Sequence, residues 1–159
     1  MPIFGVDYTY YSLTASILLV AFMFVFAGCS STQRISSGQV EQRLMGEFQT
    51  WRGTPYQWGG VSTAGVDCSG FIQAIYRDAL GIDLPRTTDT QMRAGRRVSP
   101  QRLQVGDLVF FRTGRRTLHA GIVLSNGRMM HASTSNGVEI TNLNSAYWRR
   151  NFIGARRVL

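Results

Sequence analysis

The chain has 159 residues and 17 basic side chains, all of them Arg, against nine acidic ones, a formal charge of +8. With 44% hydrophobic and 16% charged residues it is too apolar for a disordered polymer, and its length holds one domain and a short leader rather than two domains. The Arg residues are scattered, with doublets at Arg96-Arg97, Arg115-Arg116, Arg149-Arg150 and Arg156-Arg157. This pattern excludes a nucleic-acid stripe and leaves anionic lipid headgroups or an anionic wall polymer as partners that the charge would favour.

Leu13 to Ala27 carries no charge and is too short for a spanning helix of about 20 residues, but fits the apolar region of a signal peptide. Ala27-Gly28-Cys29-Ser30 then resembles a bacterial lipobox, with Cys29 as the lipidated first residue of the mature chain. Phe26 stands where Leu is usual, and the stretch before Leu13 carries Asp7 and no basic residue, so an uncleaved N-terminal anchor is the alternative. Both readings tether the protein to a membrane, and Ser30 after Cys29 fits sorting to an outer membrane, facing the periplasm. The polar run Ser30 to Gly38 reads as a tether. The expected organisation is a signal peptide over 1–28, a flexible tether over 29–38 and one folded domain over 39–159.

Val40, Leu44, Phe48 and Trp51 recur every three to four residues and predict a helix from about Gly38 to Trp51, ended by Gly53 and Pro55. Pro55 to Gly60 is too rich in Gly and aromatics for a helix. A second helix is predicted over Cys68 to Leu80, with Asp67 as N-cap and Gly81 just past its end. Pro85 to Gly95 reads as loop with room for a short helix. From Gly106 the pattern becomes short apolar runs, Asp107–Arg112, Leu118–Leu124, Arg128–Ser133, Val138–Leu143 and Phe152–Val158, broken by Thr113-Gly114, Asn126-Gly127 and Asn136-Gly137. Helices followed by consecutive hairpins imply an α+β domain with an antiparallel sheet.

In an exported chain two cysteines would ordinarily form a disulfide. Cys29 has its own explanation as lipid acceptor, which leaves Cys68 unpaired. At the first turn of a helix, free amides and the helix dipole favour a thiolate, and a neighbouring imidazolium would lower the thiol pKa further. Ser69 and Gly70 are small enough to admit a substrate carbonyl. A buried structural thiol is the alternative. The only histidines, His119 and His131, fall in the two strands of one predicted hairpin, as a base and an orienting group for a nucleophile or as satisfied core residues.

The hairpin register decides whether they can cooperate. A two-residue Asn126-Gly127 turn sets Ile122 against His131 and turns His119 to the opposite face. A three-residue Ser125-Asn126-Gly127 loop pairs Leu124 with Arg128 and puts both imidazoles on one side. We expect the second, from a type I turn with Gly127 left-handed.

Asp67-Cys68-Ser69-Gly70-Phe71, preceded by Gly53-Thr54-Pro55-Tyr56 and Trp58-Gly59-Gly60, is followed by Leu84-Pro85-Arg86-Thr87, Gly106-Asp107-Leu108-Val109-Phe110-Phe111, His119-Ala120-Gly121-Ile122 and His131-Ala132-Ser133. In this order the motifs resemble the NlpC family of cell-wall peptidases. The resemblance implies a papain-like NlpC fold, with N-terminal helices packed on a C-terminal antiparallel β-sheet, and a Cys-His-His triad that hydrolyses amide bonds in peptidoglycan stem peptides or crosslinks. It makes Cys68 the nucleophile, His119 the base and later the acid, and His131 the orienting residue. Tyr56 matches a position that assists the oxyanion, Asp67 and Ser69 match positions that bind a peptide amine in some members, and Arg86 reads as structural. A monomer without cofactor is expected, and no close ligand pair suggests zinc. The alternatives are an amidase or acyltransferase on the same scaffold, or a lipoprotein that binds peptidoglycan or a partner without cleaving it.

Overall fold

In the computed structural model, residues 35–159 are described. The expected leader, its lipobox and Cys29 lie outside the described residues. Among the described residues no helix is long and apolar enough to cross a membrane.

Helix α1 (Ser37–Trp51) starts one residue before the expected Gly38, because Ser36 and Gln39 form a reciprocal capping box. The last two residues of the expected tether are therefore helical. Val40, Leu44, Phe48 and Trp51 are buried, as their spacing predicts. The chain leaves α1 through Gly53, at φ 77°. Gly53 and Thr54 exchange backbone hydrogen bonds of 2.9 Å with Val138, so this loop covers the outer edge of the sheet. A small hairpin of β1 (Val61–Ser62) and β2 (Gly65–Val66) follows, absent from the sequence reading because two-residue strands carry no period. Tyr56 bridges to Val66, which fixes the aromatic loop against the start of α2 (Cys68–Leu80). Asp67 caps α2 through Gly70 N–H, and Gly81 ends it at φ 68°.

Helix α3 (Thr88–Gln91) is the short helix for which the Pro85–Gly95 stretch left room. The sheet comprises β3 (Arg96–Val98), β4 (Leu108–Arg112), β5 (Leu118–Leu124), β6 (Arg128–Ser133), β7 (Gly137–Asn142) and β8 (Phe152–Arg157), all antiparallel, in the order β3-β8-β4-β5-β6-β7. β5 and β6 have the expected bounds. β3 and the helix α4 (Ala146–Asn151) were not legible, since one is two Arg and a Val and the other buries no residue fully.

Leu108, Phe110, Ala120, Ile122, Leu124, Met130 and Ala132 face α1 and α2 and form the main core with Phe71, Ile72, Ile75 and Tyr76. Each such large buried side chain contributes on the order of 1.5–3 kcal/mol. The intervening residues Val109, Phe111, Val123 and Met129 form a second cluster on the opposite face, against which Trp148 of α4 packs. Two buried polar ties lock the strand ends. Tyr76 OH donates to the Gly106 carbonyl, and Arg157 of β8 donates twice to Asp107, at 2.6 Å each.

The β5–β6 connection has the expected register, with Leu124 opposite Arg128 and Ile122 opposite Met130. Its backbone differs in detail, for both Asn126 (φ 58°) and Gly127 (φ 66°) are left-handed, where only Gly127 was expected to be. The extra residue is Ser125, and it is held from outside the hairpin. The Glu41 carboxylate on α1 accepts from Ser125 N–H at 3.3 Å, from Ser125 Oγ at 2.8 Å and from Arg128 Nη2 at 3.2 Å.

Candidate active site

Cys68 is the first residue of α2 and is 5% exposed, while His119 and His131 are 7% and 2% exposed. His119 pairs with Phe111 across β4–β5, and His131 pairs with Glu139 across β6–β7. Both imidazoles therefore lie on the sheet face that carries the second apolar cluster. Their rings meet edge to face, with His119 Nε2 2.9 Å from His131 Nδ1. Nδ1 of His119 is left for another partner. His131 Nε2 lies 3.3 Å from Thr141 Oγ1 and 3.8 Å from Glu139 Oε1, both on β7. Trp148 stacks on His119, with ring centroids 5.4 Å apart and planes 21° from parallel, and meets His131 edge-on at 5.1 Å.

The Cys68 thiol rests against β5 at the peptide after His119. Ala120 N–H and Ser69 N–H point at the sulfur, and Thr88 Oγ1 stands 3.5 Å from it. Burial nonetheless pushes the thiol up, and the Asp67 charge adds to this against the hydrogen bonds from Thr88, Ala120 and Ser69. Burial lowers both imidazoles as well, His119 to about 3, with help from its neighbour His131, and His131 to about 4. Burial thus works against the thiolate and imidazolium that a helix start alone would suggest. Desolvation of a charge at this buried helix start opposes what the helix end returns.

Asp67, Ser69 and Arg86 form a knot beside the sulfur. Arg86 Nη1 and Nη2 donate to Asp67 Oδ1 and Oδ2 at 2.9 and 2.8 Å, and to Ser69 Oγ and the Gly60 carbonyl at 3.0 and 3.2 Å. Gly59 N–H, Gly70 N–H and Ser69 Oγ also donate to the carboxylate, at 3.0, 2.7 and 3.0 Å. Burial would raise the Asp67 carboxyl, but Arg86, Gly70 and Ser69 outweigh it and hold the group below its ordinary range. Gly70 serves this knot and not the open cleft: a Cβ on it would stand 2.5 Å from the Gly60 carbonyl oxygen and 3.2 Å from Asp67 Oδ1.

Two clefts flank this centre. One, of about 500 Å³, is lined by Cys68, Asp67, Ser69, Thr88, Arg116 and Trp58, the last 83% exposed. The other, of about 310 Å³, is lined by His119, His131, Ser133, Glu139, Tyr147 and Trp148. Tyr56 and Leu118 border both. Burial and the nearby Cys68 and Asp67 push the Tyr56 phenol up to about 12, so it keeps its proton as a donor at neutral pH. Among the described residues no group of three or more His, Cys, Asp or Glu could hold a metal ion. Sequence reasoning missed Thr88, Glu139, Thr141 and the packing of Trp148. Glu139 was within reach, since the Asn136-Gly137 turn places it opposite His131; the others depend on α3, on a side-chain rotamer and on α4.

The chain is 44% identical over 120 residues to Murein DD-endopeptidase MepS/Murein LD-carboxypeptidase of Escherichia coli (strain K12), covering 76% of this chain and 64% of that one. It therefore spans just under two thirds of that relative's length. It is 41% identical over 150 residues to the Probable endopeptidase NlpC of the same strain, covering 89% of this chain and 97% of that one. A crystal structure from Staphylococcus aureus Mu50, of a protein described as similar to lipoprotein, NLP/P60 family, superposes with a TM-score of 0.69 at 38% identity, covering 82% of this chain and 44% of that one. The peptidoglycan hydrolase RipB of Mycobacterium tuberculosis superposes with a TM-score of 0.65 at 28% identity, covering 83% and 71%. Residues 53–157, from the end of α1 to the end of β8, match the NlpC/P60 family, and the chain belongs to it.

Proposed function

We propose that the protein is a membrane-tethered cysteine endopeptidase of the cell envelope, which hydrolyses amide bonds in peptidoglycan stem peptides or crosslinks. The observation that carries this reading is the 2.9 Å contact between His119 Nε2 and His131 Nδ1, which leaves His119 Nδ1 as a base on the strand whose Ala120 N–H points at the Cys68 sulfur. The names of the relatives, murein endopeptidases and a peptidoglycan hydrolase, support the substrate class.

His119 Nδ1 takes the Cys68 proton as the sulfur attacks the scissile carbonyl. Tyr56 OH and the first-turn amides of α2 stabilise the oxyanion. Collapse of this intermediate breaks the C–N bond, and the His119 imidazolium protonates the leaving amine. Water then attacks the thioester, giving its proton to His119, and the carboxylic acid leaves as the thiol is restored. His131 holds the ring of His119 throughout. The two clefts accept the peptide on either side of the scissile bond. Asp67 and Ser69 border the first and contact a polar group of the substrate there, such as its amine.

The anchor in this reading is a lipid on Cys29, with the domain as a monomer facing the periplasm from the outer membrane. It is supported by the lipobox-like sequence and by the structural relative described as similar to lipoprotein. Replacing Cys29 with Ser should release the protein from the membrane fraction.

The activity is tested by digesting defined muropeptides with the full chain and identifying the products by mass spectrometry. Cys68→Ala and His119→Ala should abolish cleavage while leaving the fold intact. Wild-type activity in either variant overturns the assignment, and product transferred to an amine instead of water would mark an acyltransferase.

A further inference from the structure

We propose that Glu139 and Thr141 of β7 are positioning residues that fix the tautomer of His131, and through it keep His119 Nδ1 free of its proton. The inference rests on the reading of His119 as the base.

Two neutral imidazoles joined by one hydrogen bond can place their protons in either of two ways. If His119 Nε2 carries hydrogen and donates to His131 Nδ1, then His119 Nδ1 is a bare lone pair and can accept the thiol proton. If His131 Nδ1 carries hydrogen and donates to His119 Nε2, the His119 proton sits on Nδ1 and the base is blocked. The 2.9 Å contact fits both arrangements equally. The choice is made at the far side of His131.

There Nε2 faces the Thr141 hydroxyl at 3.3 Å and the Glu139 carboxylate at 3.8 Å. A hydroxyl can donate or accept, so Thr141 alone leaves the ambiguity in place. A carboxylate only accepts, and its charge disfavours a lone pair pointed at it. Glu139 thus selects hydrogen on His131 Nε2, with Thr141 as the acceptor within bonding distance. His131 Nδ1 is then bare, His119 Nε2–H donates to it, and His119 Nδ1 is free. Asn136 Nδ2 donates to both Glu139 oxygens, at 3.1 and 3.2 Å, and holds the carboxylate in place. Trp148 stacks on His119 and meets His131 edge-on, and His131 is left 2% exposed. The same carboxylate offsets the positive charge that His119 gains when it takes the thiol proton.

The test reads tautomers directly, on the full chain labelled with ¹⁵N-histidine in detergent micelles near neutral pH. Long-range ¹H–¹⁵N correlation should show hydrogen on Nε2 of both His119 and His131. Glu139→Gln and Thr141→Val should each give mixed tautomers and a kcat about tenfold lower or more on muropeptides, with KM changed less than about twofold. Thr141→Ser should restore both the wild-type spectrum and kcat. A wild-type His131 protonated on Nδ1, or variants that keep the wild-type tautomers, would overturn the proposal even if their rates fall. Because the spectra need no substrate, a chain that shows these tautomers but leaves muropeptides intact sinks the proposed activity and not this assignment.

Discussion

Arg86 meets Asp67 through two parallel N–H···O bonds, so the carboxylate that caps α2 has its counter-charge before any substrate arrives. Replacing Arg86 with Met should leave a mostly buried carboxylate short of two donors and lower stability by about 2 kcal/mol, a figure kept modest because water still reaches part of the guanidinium. The Asp67 carboxyl is held low in the folded state, so this stability is present above its unfolded value of about 3.9 and is lost as pH falls through the folded value. Urea midpoints of wild type and Arg86→Met should converge in acid; a constant gap down to pH 2 would show that the pair does not hold this charge.

Gly70→Ala should cost activity as well as stability. The added methyl would press on the Gly60 carbonyl and Asp67 Oδ1 and shift the cap that sets the position of Cys68. A displacement of a fraction of an ångström at a reacting atom is enough to lower kcat by about tenfold or more. Unchanged kcat with a folded variant would show that the knot does not position the thiol.

The buried histidines predict an unusual acid profile. Their folded values, about 3 for His119 and about 4 for His131, lie below the ordinary 6.5 because burial disfavours the charged ring. Sign follows from linkage: stability from neutral burial is present above 6.5 and is lost as pH falls towards the folded values, at up to about 1.4 kcal/mol per pH unit for each group. The base stays competent in mild acid, so kcat/KM should hold steady from pH 8 to 6 and fall lower down together with the folded fraction followed by circular dichroism.

Trp148→Ala should move that profile. Without the indole stacked on His119, water reaches both rings and their pKa values rise towards 6.5. The acid limb of kcat/KM should shift upward in pH, with Trp148→Phe in between. An unshifted limb would mean that α4 does not keep the site dry.

Glu41→Gln should destabilise the β5–β6 turn by about 1–3 kcal/mol in urea denaturation, since it weakens the acceptor shared by Ser125 and Arg128. Activity at low temperature should persist, because the carboxylate is remote from Cys68. A urea midpoint equal to wild type would show that the turn holds its register unaided.

Much of this protein can be read along the chain. The one-sided apolar spacing of α1, the Asp67 and Gly81 caps of α2, and the alternation of β5 and β6 are local signals, written in neighbouring residues by helix and strand periodicity. The left-handed turn at Asn126-Gly127 is local too, and with the pattern of β5 and β6 it sufficed to predict that both imidazoles share a face. The charge state of Cys68 was not legible, because a helix start argues for a thiolate while burial by β5 and α3, distant in sequence, argues more strongly against one. Nor was the partner of Asp67, which lies 19 residues away on an irregular segment, or the cover that α4 lays over the histidines. Local sequence determines which elements form and which residues they point inward. Only the tertiary structure decides how dry the site is and which hydrogen-bond partners remain, because desolvation depends on every element packed around a group and not on the one that carries it.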